Sequence, residues 1–172
     1  LGAGAAVGAA GSENLMSFTG GNQFEYHILG TQSILSPSLG TVGLDIGMDQ
    51  TADDGVEICC GINANVRGAH VVATDNAFFA RVKLVIGTVA NTDDCAFGFR
   101  KVEAYQANVD DYADMAAMNI IAGAINIETI VGDAATTTTD TTDTLADATH
   151  VELEVRVSAA GVVTYLIDGA AP

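Results

Sequence analysis

The chain has no tryptophan, two prolines, three cysteines and only six basic residues against 22 acidic ones. Each shortage excludes something. With no Trp and 6% aromatic residues, it is poorly supplied with the broad flat rings on which sugar-cleaving clefts stack their substrates. The basic residues are Arg67, Arg81, Lys83, Arg100, Lys101 and Arg156, and the formal charge is −16. A surface this acidic repels phosphate, so nucleic acid and anionic membranes are not expected partners. The odd set Cys59, Cys60 and Cys95 cannot form a complete internal disulfide framework. With no CxxC or Cys/His zinc spacing, these cysteines read as small buried hydrophobes. There is no N-x-S/T sequon. Leu1–Gly11 is apolar but too short to span a bilayer, and it lacks the basic start of a signal peptide.

What is present points to strands. Apolar residues make up 49% of the 172 positions, and Gly is abundant at 19. Ala, Val, Ile and Thr are spread along the chain, which favours an all-β domain with many turns. The clearest stretch is Val151–Gly169, VELEVRVSAAGVVTYLIDG. Val151, Leu153, Val155 and Val157 alternate with Glu152, Glu154, Arg156 and Ser158, so one face is dry and the other wet. Gly161 supplies the turn, and Val163, Tyr165 and Ile167 alternate again before Asp168-Gly169. On this reading Glu152, Glu154 and Arg156 are surface residues and not a site.

Elsewhere, Leu1–Ser12 is rich in Ala and Gly and has no periodicity. It reads as an extended arm that lies on a neighbouring subunit. Residues 1–14 are therefore assigned to the arm and 15–172 to one folded domain. Phe24–Leu29 is the expected first strand. Thr41–Asp49 and Val56–Ile62, joined through Asp53-Asp54-Gly55, are expected to form a hairpin. His70–Ala73 is expected as a short strand. Phe78–Ile86 and Cys95–Tyr105 are long alternating strands carrying four of the basic residues, with cross-strand pairs to Glu103 and nearby acids. Asp110–Met118 is expected as a short helix capped by Asp110 or Asp111, with Tyr112, Met115 and Ala116 inward. Asn119–Val131 holds two strand-like runs broken at Gly123, and Gly132–Thr149 is expected as a long surface loop. The pattern, roughly eight to ten strands with polar turns, is that of an antiparallel β-sandwich or jelly roll. Pro172 lies just past a turn, where a sandwich would send another strand back, so the chain reads as a portion of a longer one.

Candidates for chemistry are few. Leu44–Asp49 resembles the acidic strand of laminarinase-type glycoside hydrolases, but its alternating positions are Asp45, Gly47 and Asp49. Retaining hydrolysis needs two carboxyls about 5–5.5 Å apart, and the middle acid is missing. Asp53-Asp54-Gly55, Asn91–Asp94 and Asp140–Asp147 offer oxygen to calcium, which takes roughly six to eight such ligands, yet no DxDxDG loop exists. Tyr26, Tyr105, Tyr112 and Tyr165 could form a sugar platform, although Tyr165 is in phase with core positions. His27, His70 and His150 are isolated. No nucleophile elbow or phosphate loop is present. The reading assigns no catalytic, cofactor or metal residue.

Three segments resemble the concanavalin A-like (LamG-like) jelly-roll group, especially structural proteins of tailed phages. They are His150–Gly169 with its closing "DG", the pair NAFFARVKLVI and CAFGFRKVEAY with its "FGF", and Gly43–Ile58. The resemblance covers roughly half the chain. It implies a non-enzymatic virion protein on the capsid exterior, decorating or stabilising a phage head. Its expected partners are the major capsid protein or other virion proteins, and its expected state is a homo-oligomer, a trimer. The alternative is a carbohydrate-binding module for host-surface glycans.

Overall fold

The structure is a computed structural model, and it describes residues 13–17, 23–29, 38–40, 43–45, 55–59, 70–103, 106 and 108–172. Among these, twelve strands and two 3-10 turns account for the regular structure. The strands are β1 Glu13–Ser17, β2 Gln23–Leu29, β3 Ser38–Gly40, β4 Gly43–Asp45, β5 Gly55–Cys59 and β6 Phe78–Val85, followed by β7 Cys95–Arg100, β8 Met115–Ile121, β9 Ala124–Ile130, β10 Thr137–Thr144, β11 His150–Val157 and β12 Val163–Ile167. All pairings are antiparallel.

The chain divides into two compact units. The first comprises Leu1–Ala69 and Val102–Ala107. Its strands form a sheet in the order β1-β2-β5 and a separate hairpin β3-β4. The expected hairpin between Thr41–Asp49 and Val56–Ile62 is corrected here. β4 pairs with β3, Leu44 opposite Leu39, and β5 pairs with β2. Gly40 is paired with Gly43, a separation of few residues, and a short closure costs less chain entropy than a long one. A strand also precedes Phe24–Leu29, namely β1. The proposed arm Leu1–Ser12 lies outside the described residues.

The second unit, His70–Lys101 and Asn108–Pro172, is an antiparallel β-sandwich. One sheet runs β10-β9-β8-β7 and the other β12-β11-β6. The alternation seen in the sequence sorts the side chains. Met118, Ile120 and Ile125 of the first sheet meet Val151, Leu153, Val155 and Ile167 of the second. Phe97, Phe99, Val82, Leu84 and Tyr165 pack around them. Burying one such side chain is worth about 1.5–3 kcal/mol, so this layer dominates stability.

Four expectations are corrected in this unit. His70–Ala73 is not a strand. Residues 72–74 turn, and Asp75 Oδ2 accepts from the Val71 amide at 2.8 Å. Asp110–Met118 is not a helix. Only Val109–Asp111 makes a 3-10 turn, and β8 begins at Met115. Tyr112 and Met115 are nonetheless buried, as expected, whereas Ala116 is half-buried and Ala117 is buried instead. Gly132–Thr149 is not one loop, because Thr137–Thr144 pairs with β9 as an edge strand. Finally, the strands at Phe78 and Cys95 do not pair with each other. β6 bonds to β11 and β7 to β8, in opposite sheets. The hairpin at Val151–Gly169 forms as read, with Leu153 opposite Ile167 and Val157 opposite Val163.

Candidate functional site

Two polar clusters stand out in the sandwich, one on the outer face of each sheet. The first lies on β7, β8 and β9. Asn119 is fully buried in β8. Its Nδ2 donates to Asp94 Oδ1 at 2.6 Å and to Glu128 Oε2 at 2.9 Å, while its Oδ1 accepts from the Cys95 amide at 3.0 Å. Glu128 is 4% exposed. Burial pushes its carboxyl above the ordinary value, and Asp110 and Asp94 add to the rise, against the lowering effect of the Asn119 bond. Burial likewise raises the Cys95 thiol, with Asp94 adding to it. Every polar atom of Asn119 is used to tie β8 to its neighbours, which is how a buried amide avoids its desolvation cost.

The second cluster lies on the outer face of β6-β11-β12 and is arranged in cross-strand rows. Phe79, Arg156 and Thr164 form one row, and Arg81, Glu154 and Leu166 the next. Glu154 is 3% exposed although it points away from the core. Arg81 and Arg156 cover it. Arg81 Nε and Nη2 donate to Glu154 Oε2 at 2.7 and 2.6 Å, and Arg156 Nε donates to Oε1. Glu152 adds a weaker contact to Arg81 at 3.5 Å. The arginines hold the Glu154 carboxyl below its usual range, with the Arg156 bond the largest influence. The reading of Glu154 as a plain surface residue is thus corrected. The cross-strand pairs of Arg81 are made to β11, not to a strand holding Glu103.

Beside this cluster is a groove of about 290 Å³, lined by Phe79, Arg156, Ser158, Val162 and Thr164 among others. Phe79 is 63% exposed and Val162 60%. The Arg81 guanidinium sits 5.9 Å from the Phe79 ring centroid.

The residues singled out from the sequence do not converge on a centre. Asp45 lies at the end of β4 opposite Ser38, and Gly47 and Asp49 lie outside the described residues. Of the calcium candidates, Asp53 and Asp54 lie outside them too. Asp94 serves Asn119, Asp140 Oδ1 accepts from the Thr142 amide, and Asp147 Oδ1 accepts from the Val89 amide. Among the described residues no group of three or more His, Cys, Asp or Glu side chains could hold a metal ion. Tyr112 is buried beneath Arg100, and Tyr165 packs on the core with its hydroxyl buried and unpartnered among the described residues. Neither serves a surface platform, and Tyr105 and Cys60 lie outside the described residues. His70 stacks on Phe78 at 4.3 Å, and His150 is exposed at the start of β11. No described helix is long and apolar enough to cross a membrane.

The sequence reading sets Arg156 aside as a surface residue and gives no role to Phe79, Asn119 or Glu128. A signal existed for the last two, since a lone polar residue inside MNII or NIETI must be satisfied where it is buried. For Phe79 the signal was its position on the Arg81 and Lys83 side of its strand, out of phase with the core. No family model, curated protein or solved structure matches this chain.

Proposed function

We propose that the protein is a non-enzymatic structural protein of a virion, decorating and stabilising the outside of a phage head. In this reading the sandwich is a concanavalin A-like jelly roll. Leu1–Ser12 is the arm that docks on the major capsid protein, and the working state is a homo-oligomer, a trimer. The acidic surface faces solvent and keeps particles apart. The observation that carries the reading is how the buried polar groups are spent. Glu128 and Asn119 bind strand to strand, and Glu154 binds Arg81 and Arg156. These ties make a rigid scaffold, and a scaffold is what a head-decorating subunit has to supply. The likeness of the Phe78–Ile86, Cys95–Tyr105 and His150–Gly169 segments to phage proteins of this fold supplies the setting.

The test is mass spectrometry of purified particles together with a chain lacking residues 1–12. Copies in the hundreds per particle are expected, with occupancy lost on deletion while the sandwich keeps its far-UV spectrum. Absence from particles would overturn the structural role. Unchanged occupancy after the deletion would overturn the docking role of the arm.

A further inference from the structure

We infer that the edge of β12 joins the same edge of a second copy of this chain, antiparallel across a twofold axis, so that two β12-β11-β6 sheets become one continuous sheet. The inference goes beyond the scaffold role and does not rest on it. Strand addition is main-chain recognition, so it begins with where the backbone groups of β12 point. Ser158 N–H donates to the Val162 carbonyl and Asp168 N–H to the Glu152 carbonyl, both at 2.9 Å. Only alternate pairs of an antiparallel ladder exchange bonds. In this register Thr164 and Leu166, opposite Arg156 and Glu154, therefore turn their main-chain groups toward β11, and Val163, Tyr165 and Ile167 turn theirs outward. Ile167 is closed off, because it exchanges both bonds with Ala170 at 2.8 and 3.0 Å. Val163 and Tyr165 are each left with an N–H and a carbonyl that no main-chain group meets among the described residues.

This edge is its own complement. An antiparallel pair centred on Thr164 sets Val163 opposite the partner's Tyr165 and Tyr165 opposite the partner's Val163. Both are bond-exchanging pairs, so every outward group on the two residues is met in each copy. Thr164 then faces the partner's Thr164, a favourable cross-strand pair. Val162, 60% exposed, faces the partner's Leu166 on the same side of the sheet. Charge selects this edge over the others, since edges that stay solitary are defended by charged side chains. β6 carries Arg81 and Lys83, β7 Arg100, and β10 Asp140 and Asp143, whereas β12, VTYLI, carries none. The adjoining face is balanced as well, with Arg81 and Arg156 matched by Glu152 and Glu154. On a chain of −16, two copies meet here without like charges opposed. A strand of five residues makes an interface smaller than that of a stable dimer, so the association is weak and follows concentration.

The test is amide hydrogen exchange of the full chain by NMR at rising protein concentration, with sedimentation velocity to follow the mass. The Val163 and Tyr165 amides should exchange freely in dilute solution and gain protection as the mass grows above the 17.5 kDa of one chain. The Thr164 and Leu166 amides should be protected throughout. Thr164→Lys sets two ammonium groups opposite each other across the axis and should weaken association about tenfold or more. Thr164→Ser keeps the edge uncharged and should associate nearly as the wild type does. Protection of the residue-164 and Leu166 amides shows that each variant keeps its fold. Four results would overturn the proposal. The first is no protection at Val163 and Tyr165 at any concentration. The second is protection independent of concentration, which would assign the edge to the chain's own residues after Ala170. The third is association undiminished in a folded Thr164→Lys variant. The fourth is a trimer in which both amides still exchange freely, which would agree with the virion reading while removing the β12 contact.

Discussion

Gly98 lies between Phe97 and Phe99 on β7 and shows how tightly one position can be specified. A Cβ built there would come within 2.3 Å of the Ala116 carbonyl oxygen and 2.7 Å of the Ala117 Cα. Both are backbone atoms of β8, which cannot swing aside as a flexible side chain would. Gly98→Ala should therefore cost about 1–3 kcal/mol through forced strand separation, read as a lower urea midpoint at unchanged slope. The two buried acids make a second contrast at this scale, because their shifts have opposite signs. Glu128 holds its proton to higher pH in the folded protein, since burial, Asp110 and Asp94 outweigh the Asn119 bond. The folded state then binds more protons than the unfolded one, so its stability falls as pH rises through the raised value. Glu128→Gln should gain on the wild type at neutral pH and lose that advantage below the ordinary glutamate value. Glu154 is held low by Arg156 and Arg81. Its contribution is present above the unfolded value and lost as pH falls through the lowered folded one. Glu154→Gln should lose stability at neutral pH and converge with the wild type in acid. Urea denaturation of the three proteins across a pH series checks both signs at once.

At the scale of elements, β10 is the informative strand. Its sequence, TTTDTTDT, has no apolar residue, so it shows no hydrophobic period and reads as a loop. It forms a strand because Thr is β-branched and β9 offers a free edge. Asp140 and Asp143 on it keep the outer edge charged, which discourages pairing with another sheet. Its register breaks between Asp140 and Thr144, and Thr142 within the break has φ +66°. A β-branched residue in that region is strained. Thr142→Gly should gain about 0.5–1 kcal/mol after its added unfolded-state freedom is counted, seen as a raised thermal midpoint with the β10-β9 cross-peaks intact by NMR. The expected helix at Asp110–Met118 failed for a related reason. Met115 and Ala117 are buried on one face of β8, and Met118 and Ile120 on the other. A strand buried on both sides loses its period of two, and an Ala/Met-rich run then looks helical. By contrast β6, β11 and β12 were legible because each has a wet face, and the closing hairpin was legible because its partner is local. The pairing of β6 with β11, 65 or more residues away, leaves no mark in local periodicity. Neither does the Phe79–Arg156–Thr164 row, which exists only once that register is set.

The whole molecule carries a formal charge of −16, and this sets how it should respond to salt. Two electrostatic effects oppose each other. Repulsion among exposed acids such as Asp140, Asp133 and Asp168 destabilises the folded state and is screened over a Debye length of about 10 Å at 0.1 M salt. The attraction of Arg81 and Arg156 for Glu154 stabilises it, but Glu154 is buried and in direct contact, so salt weakens it less. With 22 acids against six basic residues, repulsive pairs outnumber attractive ones, and among the described residues most of the acids are exposed. Relief of repulsion should therefore win. Raising NaCl from about 0.02 M to about 0.5 M, a fall in Debye length from roughly 20 Å to below 5 Å, should raise the thermal midpoint by several degrees. KCl should act alike, because the effect is screening and not ion binding. A midpoint that falls with salt would mean that the Arg81–Glu154–Arg156 cluster, not the net charge, governs the electrostatics of the fold. Glu154→Gln separates the two directly. With the cluster broken, the wild-type rise with salt should persist and steepen, since only the repulsive part remains to be screened.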